Sequence, residues 1–214
     1  MLPVGLKICG VTRLEDLEAC AAAGVPYVGI NFWPLSRRGL SLDAASSLLA
    51  AWPLRQRGRT KIVGVLVDHP PAFVHEATQR CGLAAAQLHG DENLDAYADL
   101  EVPLVWVIRG TPELTSLPWP KRDPAWILLD ALVAGFGGMG AQTDWVWARR
   151  FVAAFAHRSP IWLAGGITAD NAHSAILQVQ PAGLDVASGA EQTDARHGEK
   201  DLEKIRQLMA AIQG

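Results

Sequence analysis

Eight short apolar runs recur along the chain at intervals of about one βα unit, and this rhythm restricts the fold more than any other feature. They are VGLKIC (4–9), YVGINF (27–32), KIVGVLV (61–67), AAAQLH (84–89), VPLVWVI (102–108), AWILLD (125–130), PIWLAG (160–165) and GLDVAS (183–188). Each is too short for a helix and is bounded by glycine, proline or small polar residues, as buried parallel strands are. Alternating strands and helices admit either an open doubly wound sheet or a closed barrel. A count of eight selects the (β/α)8 barrel, here a compact one, with residues 1–214 as a single domain.

The intervening segments carry readable helix ends. Thr12-x-x-Glu15 spells a capping box ahead of LEDLEACAAA, and Gly24 supplies a left-handed stop. Ser41 opens a helix that Pro53 closes, and Pro70 and Pro71 suit the first turn of another that ends at Gly82. Asp144 caps a helix with an apolar stripe at Trp145, Ala148, Val152 and Phe155, and Thr168 caps the next. The prolines of TPELTSLPWPKRD (111–123) allow only a short helix after the fifth strand. The basic run from Arg55 to Lys61 reads as a solvated loop.

Composition narrows the function. Half of the 214 residues are hydrophobic, and the formal net charge is −3, so no global field attracts nucleic acid. No signal-peptide pattern opens the sequence, and no apolar run is long enough for a membrane span. Cys9, Cys20 and Cys81 are odd in number and widely spaced. They predict no disulfide framework and no zinc site, and point to a reducing cytoplasm.

In a barrel the chemistry stands at the carboxyl ends of the strands. Period-two alternation turns Val4, Leu6 and Ile8 toward the helices, and Lys7 and Cys9 toward the interior. By the same rule Gln87 and His89 face in, Asp130 ends the sixth strand, and Asp185 shares a face with Ala187. Such convergence of polar residues on one mouth is foreign to a purely structural core. Cys20 and Cys81 read as inert core residues. For Cys9 the nearby Lys7 predicts stabilisation of the thiolate. His89 by itself reads as a satisfied structural histidine.

LAGGIT (163–168) and ASGAE (187–191) follow the last two strands, where bare backbone N–H groups can cradle a phosphate. Two tight turns would look the same. GFGGMG (135–140) spells a dinucleotide fingerprint, which would make the chain a nucleotide-dependent oxidoreductase. Its context fails, because ALVA separates it from its strand and the next strand ends without the acidic residue that a ribose needs. A mobile active-site loop explains it better.

Taken together these residues resemble the phosphoribosylanthranilate isomerase family of tryptophan biosynthesis. The likeness runs through LKICG (6–10), FWPLSRR (32–38), VGVLVD (63–68), QLHGDE (87–92), LLD (128–130), GGMG with DW (137–145), LAGGI-x-x-x-N (163–171), LDVASGAE (184–191) and G-x-KD (198–201). The resemblance implies a (β/α)8 barrel that performs an Amadori rearrangement with no cofactor and no metal. It implies Asp130 as general acid, Cys9 as general base and Lys7 as electrostatic support. Arg38 would take the anthranilate carboxylate. Gly166, Ser188 and Gly189 would hold the phosphate, with Asp185 and His89 as further substrate-binding candidates. The implied partner is a small phosphorylated substrate, with no nucleic acid or membrane, and the chain would act as monomer or homodimer. The related isomerase of histidine biosynthesis carries an aspartate at the Cys9 position, so Cys9 implies a single specificity. Ala187, Met139 and Thr143 depart from the family pattern; a catalytically silent phosphate-binding barrel is the alternative these departures allow.

Overall fold

The structure is a computed structural model and describes residues 4–132, 142–193 and 198–213. Eight parallel strands close on themselves in sequence order: β1 (Gly5–Cys9), β2 (Tyr27–Asn31), β3 (Lys61–Leu66), β4 (Ala85–Leu88), β5 (Leu104–Arg109), β6 (Trp126–Asp130), β7 (Ile161–Leu163) and β8 (Gly183–Val186). The ring closes where β1 pairs with β8, with Lys7 opposite Asp185. All eight strands fall inside or within a residue of the expected segments, because each buries both faces and is therefore apolar along its length.

Among the described residues six α-helices pack outside the barrel: α1 (Leu14–Ala22), α2 (Leu42–Ala51), α3 (Pro71–Cys81), α4 (Trp145–Phe155), α5 (Ala169–Val179) and α6 (Leu202–Gln213). Ser41 accepts from Ala44 N and Asp144 from Trp147 N, as their cap positions predict. Gly82 ends α3 and Gly24 follows α1, both with left-handed backbone. The expected capping box at Thr12 does not form. Arg13 is the N-cap of α1 and makes no side-chain cap bond, so the helix starts one residue later than the sequence signal. The stripe of α4 is also rotated: Trp147 and Phe151 are buried with Ala148 and Val152, whereas Trp145 and Phe155 lie at its edges.

The basic run is largely exposed, as expected, with Arg57 the exception among its charged residues. Arg57 folds back on α2, donating through Nε to Trp52 O and through Nη2 to Leu49 O, with its guanidinium over the Trp52 ring. It thereby adds a second donor to Leu49 O, which already accepts from Trp52 N, and one to Trp52 O at the end of α2. Beyond β4 and β5 the chain makes only 3-10 turns, Leu94–Tyr97 and Leu114–Ser116. Aromatic packing covers that side instead. Trp119 sits between Trp106 and Phe155 at centroid distances of 5.2 and 4.7 Å, under the guanidinium of Arg158.

Alternation sorts the side chains into two layers. Leu6, Ile8, Ala86, Leu88, Ile127 and Leu129 belong to the core between barrel and helices. Val63, Ala85, Val105, Leu128, Trp126 and Trp162 fill the barrel itself. Tyr27, Trp126 and Trp162 meet at centroid distances of 5.5–5.6 Å in the lower interior and form an apolar floor. Gly5 and Gly183 make room for it, since a Cβ at Gly183 would lie 2.4 Å from the Trp162 ring. The Gly183→Ala variant is therefore expected to lose about 1–3 kcal/mol by overpacking. Urea unfolding will show this, and the added substitution Trp162→Leu should restore part of the loss.

Candidate active site

Above the aromatic floor the interior turns polar. Lys7 is almost wholly buried, and its Nζ lies 2.7 Å from Asp185 Oδ2 across the β1–β8 seam. Neighbouring strands in parallel register bring these two inward residues side by side. Burial alone would lower the Lys7 pKa, but the Asp185 carboxylate and the Cys9 sulfur outweigh it and hold the ammonium above its ordinary range. Cys9 ends β1 one pleat above Lys7 and keeps partial contact with solvent. Gly29 on β2 leaves the space for both, because a Cβ there would lie 3.0 Å from Cys9 Sγ and from Lys7 Cε.

The expected stabilisation of the thiolate does not prevail. Desolvation pushes the Cys9 thiol up, Lys7 pulls it down, and Asp185 adds to the rise, so the net direction is above the ordinary value of 9.0. Burial of the sulfur is the largest cause, and the Asp185 carboxylate offsets part of the pull from Lys7. The balance at this site thus favours the thiol form of Cys9. Cys20 is pushed further, to about 12, by burial in the core, as befits an inert residue.

Across the mouth, Asp130 ends β6 and accepts from Ala131 N through Oδ1 at 2.8 Å. Its Oδ2 stands 3.2 Å from His89 Nε2, in contact but out of hydrogen-bonding geometry. His89 Nδ1 meets Gln87 Nε2 at 2.9 Å. Among the described residues, Gln87 Oε1, His89 Nε2 and Asp185 Oδ1 are buried and meet no hydrogen-bond partner. Three such atoms on one polar surface mark a place built to receive a polar ligand, since an unmatched buried group costs roughly 1–3 kcal/mol.

Arg38 comes from the loop after β2 and is buried against the backbone beside Cys9. Gly10, at φ 72°, admits it, for a Cβ there would lie 2.3 Å from Arg38 Cδ. The space that this glycine opens is thus filled by the arginine. One edge of the guanidinium is engaged by Glu191, Nε to Oε1 at 2.5 Å and Nη2 to Oε2 at 2.9 Å. Lys200 Nζ contacts the same carboxylate at 3.1 Å. Burial would raise the Glu191 pKa, but Arg38 and Lys200 bring it down to about 2, so it stays ionised. Sequence reasoning gave neither Glu191 nor Lys200 a role, although both lie inside its quoted motifs; charged residues near helix ends look like solvated ones until the fold buries them.

The two glycine-bearing loops pack edge to edge. Gly165 and Gly166 have left-handed backbone, and a Cβ at Gly189 would lie 1.9 Å from Ile167 O. Among the described residues no turn or loop hydrogen bond uses the N–H of Gly166 or Gly189. Asn171 fastens the first loop, accepting from Thr168 N and donating to Gly166 O. Thr143, an unusual residue by the family pattern, is buried and donates to Ala164 O, tying the chain after β6 to the β7 loop. The GFGGMG stretch and Met139 lie outside the described residues.

Comparison with known proteins finds relatives along nearly the whole chain. Residues 6–211 match the sequence model of the family described as N-(5′-phosphoribosyl)anthranilate (PRA) isomerase. The N-(5′-phosphoribosyl)anthranilate isomerase of Myxococcus xanthus is 37% identical, over 98% of this chain and 96% of its own length. The Thermus thermophilus phosphoribosyl anthranilate isomerase superposes with a TM-score of 0.79 at 30% identity, over 98% of both chains. Another phosphoribosyl anthranilate isomerase, solved with reduced 1-(o-carboxyphenylamino)-1-deoxyribulose 5-phosphate, gives a TM-score of 0.78 at 28% identity over 99% of both chains.

The charge balance around Cys9 leads to a directional expectation. Its alkylation by iodoacetamide, followed by peptide mass spectrometry, should accelerate as pH rises through 9.0 and beyond. Asp185→Asn should speed the reaction at fixed pH by removing a charge that opposes the thiolate. Lys7→Met should slow it.

Proposed function

The chain belongs to the N-(5′-phosphoribosyl)anthranilate isomerase family, and from that premise we propose how its own residues perform the family's reaction. The enzyme converts N-(5′-phosphoribosyl)anthranilate to 1-(2-carboxyphenylamino)-1-deoxyribulose 5-phosphate by Amadori rearrangement, a step of tryptophan biosynthesis. The observation that carries the assignment of roles is the pair of strand-end residues facing one mouth. Cys9 with Lys7 stands at the end of β1, and Asp130 with His89 at the ends of β6 and β4.

Asp130, in its acid form, gives a proton to the furanose ring oxygen as the C1′–O bond breaks and the anthranilate nitrogen supplies its lone pair. An open-chain iminium results. The Cys9 thiolate then takes the proton from C2′, and the electrons of that C–H bond flow toward the iminium nitrogen to leave an enolamine, which tautomerises to the ketose. Both transfers are general acid–base steps. The buried Lys7 ammonium favours the thiolate over the thiol as the thiol proton is removed. Because the resting thiol is protonated, the active form is reached by losing that proton before the C2′ step.

The free edge of Arg38 faces the anthranilate carboxylate in this reading, a fork matched to a planar anion. The N–H groups of Gly166 and Gly189, with Ser188 beside them, receive the phosphate, and Asp185 Oδ1 and His89 lie near the sugar hydroxyls. The geometry of the two loops supports the phosphate position, since backbone N–H groups on neighbouring glycine-bearing loops, in no turn or loop hydrogen bond among the described residues, suit an anion. Among the described residues no helix is long and apolar enough to cross a membrane. The working place we propose is the cytoplasm, where a free thiol base stays reduced.

Turnover of freshly made phosphoribosylanthranilate tests the roles. Cys9→Ala and Asp130→Ala should each lower kcat by roughly 10²–10⁴-fold or more, the usual worth of a positioned acid or base. A Cys9→Ala variant as active as the parent would disprove the base assignment. Arg38→Ala should mainly raise KM, and only for substrates that bear the carboxylate.

A further inference from the structure

Glu191 and Lys200 belong to no part of the chemistry described so far, yet both are buried at the barrel mouth. Lys200 Nζ donates to Cys9 O at 2.7 Å, to Ala187 O at 3.2 Å and to Glu191 Oε1 at 3.1 Å. An ammonium has three N–H donors, so these acceptors use all of them. One side chain thus fastens the carbonyl of the base, the chain entering the β8 loop, and the carboxylate that grips Arg38. Backbone pairing between Glu191 and Lys200 holds the two segments together.

The arrangement also leaves a defined charge and a defined surface. Two cations, Arg38 and Lys200, surround one carboxylate, so the cluster carries an excess positive charge in a buried setting, where an anion is favoured. Glu191 occupies only the Nε–Nη2 edge of the guanidinium. The Nη1–Nη2 edge keeps a second pair of parallel N–H groups, the geometry that bidentate carboxylate binding requires. A guanidinium free on both edges could turn or shift; one clamped by a buried carboxylate cannot.

We propose that Glu191 and Lys200 are positioning residues: Glu191 locks one edge of Arg38 so that the other takes the substrate carboxylate, and Lys200 ties that clamp to the backbone carrying Cys9. The frame sets the distance between the carboxylate subsite and the base before substrate arrives, which removes an ordering cost from binding. This rests on the reading of Arg38 as the carboxylate-binding residue of a phosphoribosylanthranilate isomerase.

Steady-state kinetics on two substrates provide the test: phosphoribosylanthranilate and its carboxylate-free analogue, N-phosphoribosylaniline. Parent enzyme that fails to turn over the first would refute the functional reading itself, independently of the clamp. Given turnover, Glu191→Gln should raise KM for phosphoribosylanthranilate about tenfold with kcat changed far less, the pattern of lost ground-state binding. The KM of the analogue, already high in the parent, should move much less. Lys200→Met should lower kcat with both substrates, because the Cys9 carbonyl loses its anchor. Equal losses on both substrates in Glu191→Gln would overturn the clamp, and an unchanged kcat in Lys200→Met would overturn the tie to the base. Should Glu191→Gln not fold, Arg38→Met is compared with Arg38→Met/Glu191→Gln. Equal KM within about twofold supports action through Arg38, and a further tenfold loss in the double variant refutes it.

Discussion

A lysine ammonium and an aspartate carboxylate 2.7 Å apart, sealed inside the seam between the first and last strands, organise the molecule around them. Taking two charges out of water is costly, and the attraction between them offsets that cost only when both are held in register. The register exists because the barrel closes, and closure brings β1 beside β8 with Lys7 opposite Asp185. Replacing the pair with apolar side chains of similar volume is often neutral or stabilising. The charge therefore serves the mouth of the barrel rather than its stability.

The pair also accounts for the state of Cys9. A cation two residues away on the same face would by itself favour a thiolate. Here the cation is shared with Asp185, and burial of the sulfur prevails, so the net effect is to hold the proton on the thiol. Burial at this position thus opposes ionisation of the Cys9 thiol, and the Lys7 ammonium favours it. The second polar group, Asp130 with His89 and Gln87, shows the same economy of partners: three buried polar atoms in these two groups are left for a ligand to meet. Below both groups the Tyr27, Trp126 and Trp162 floor closes the interior from the opposite end.

At the rim a second charged cluster, Arg38, Glu191 and Lys200, joins three loops that are distant in sequence. It connects the loop after β2, the backbone at the end of β1 and the turn after β8. The glycines beside it have tasks that their positions make plain. Gly10 yields its side-chain volume to Arg38, and Gly29 yields its own to Lys7 and Cys9. In both cases a methyl group would collide with the residues that line the mouth.

Sequence alone settled the number and order of strands and the inward-facing polar residues of β1, β4, β6 and β8, namely Lys7, Cys9, Gln87, His89, Asp130 and Asp185. Period-two alternation and apolar runs are local properties, so they can be read without the fold. The caps of α2, α4 and α3 were legible for the same reason, whereas Thr12 misled because Arg13 took the cap position. Only the tertiary structure decided what each charge meets. It gave Lys7 to Asp185, filled the space at Gly10 with Arg38, folded Arg57 onto α2 and buried Glu191 between two cations. Those outcomes depend on desolvation and on partners up to 191 residues apart. A one-dimensional pattern contains neither, because the cost of burying a charge is set by what surrounds it in space.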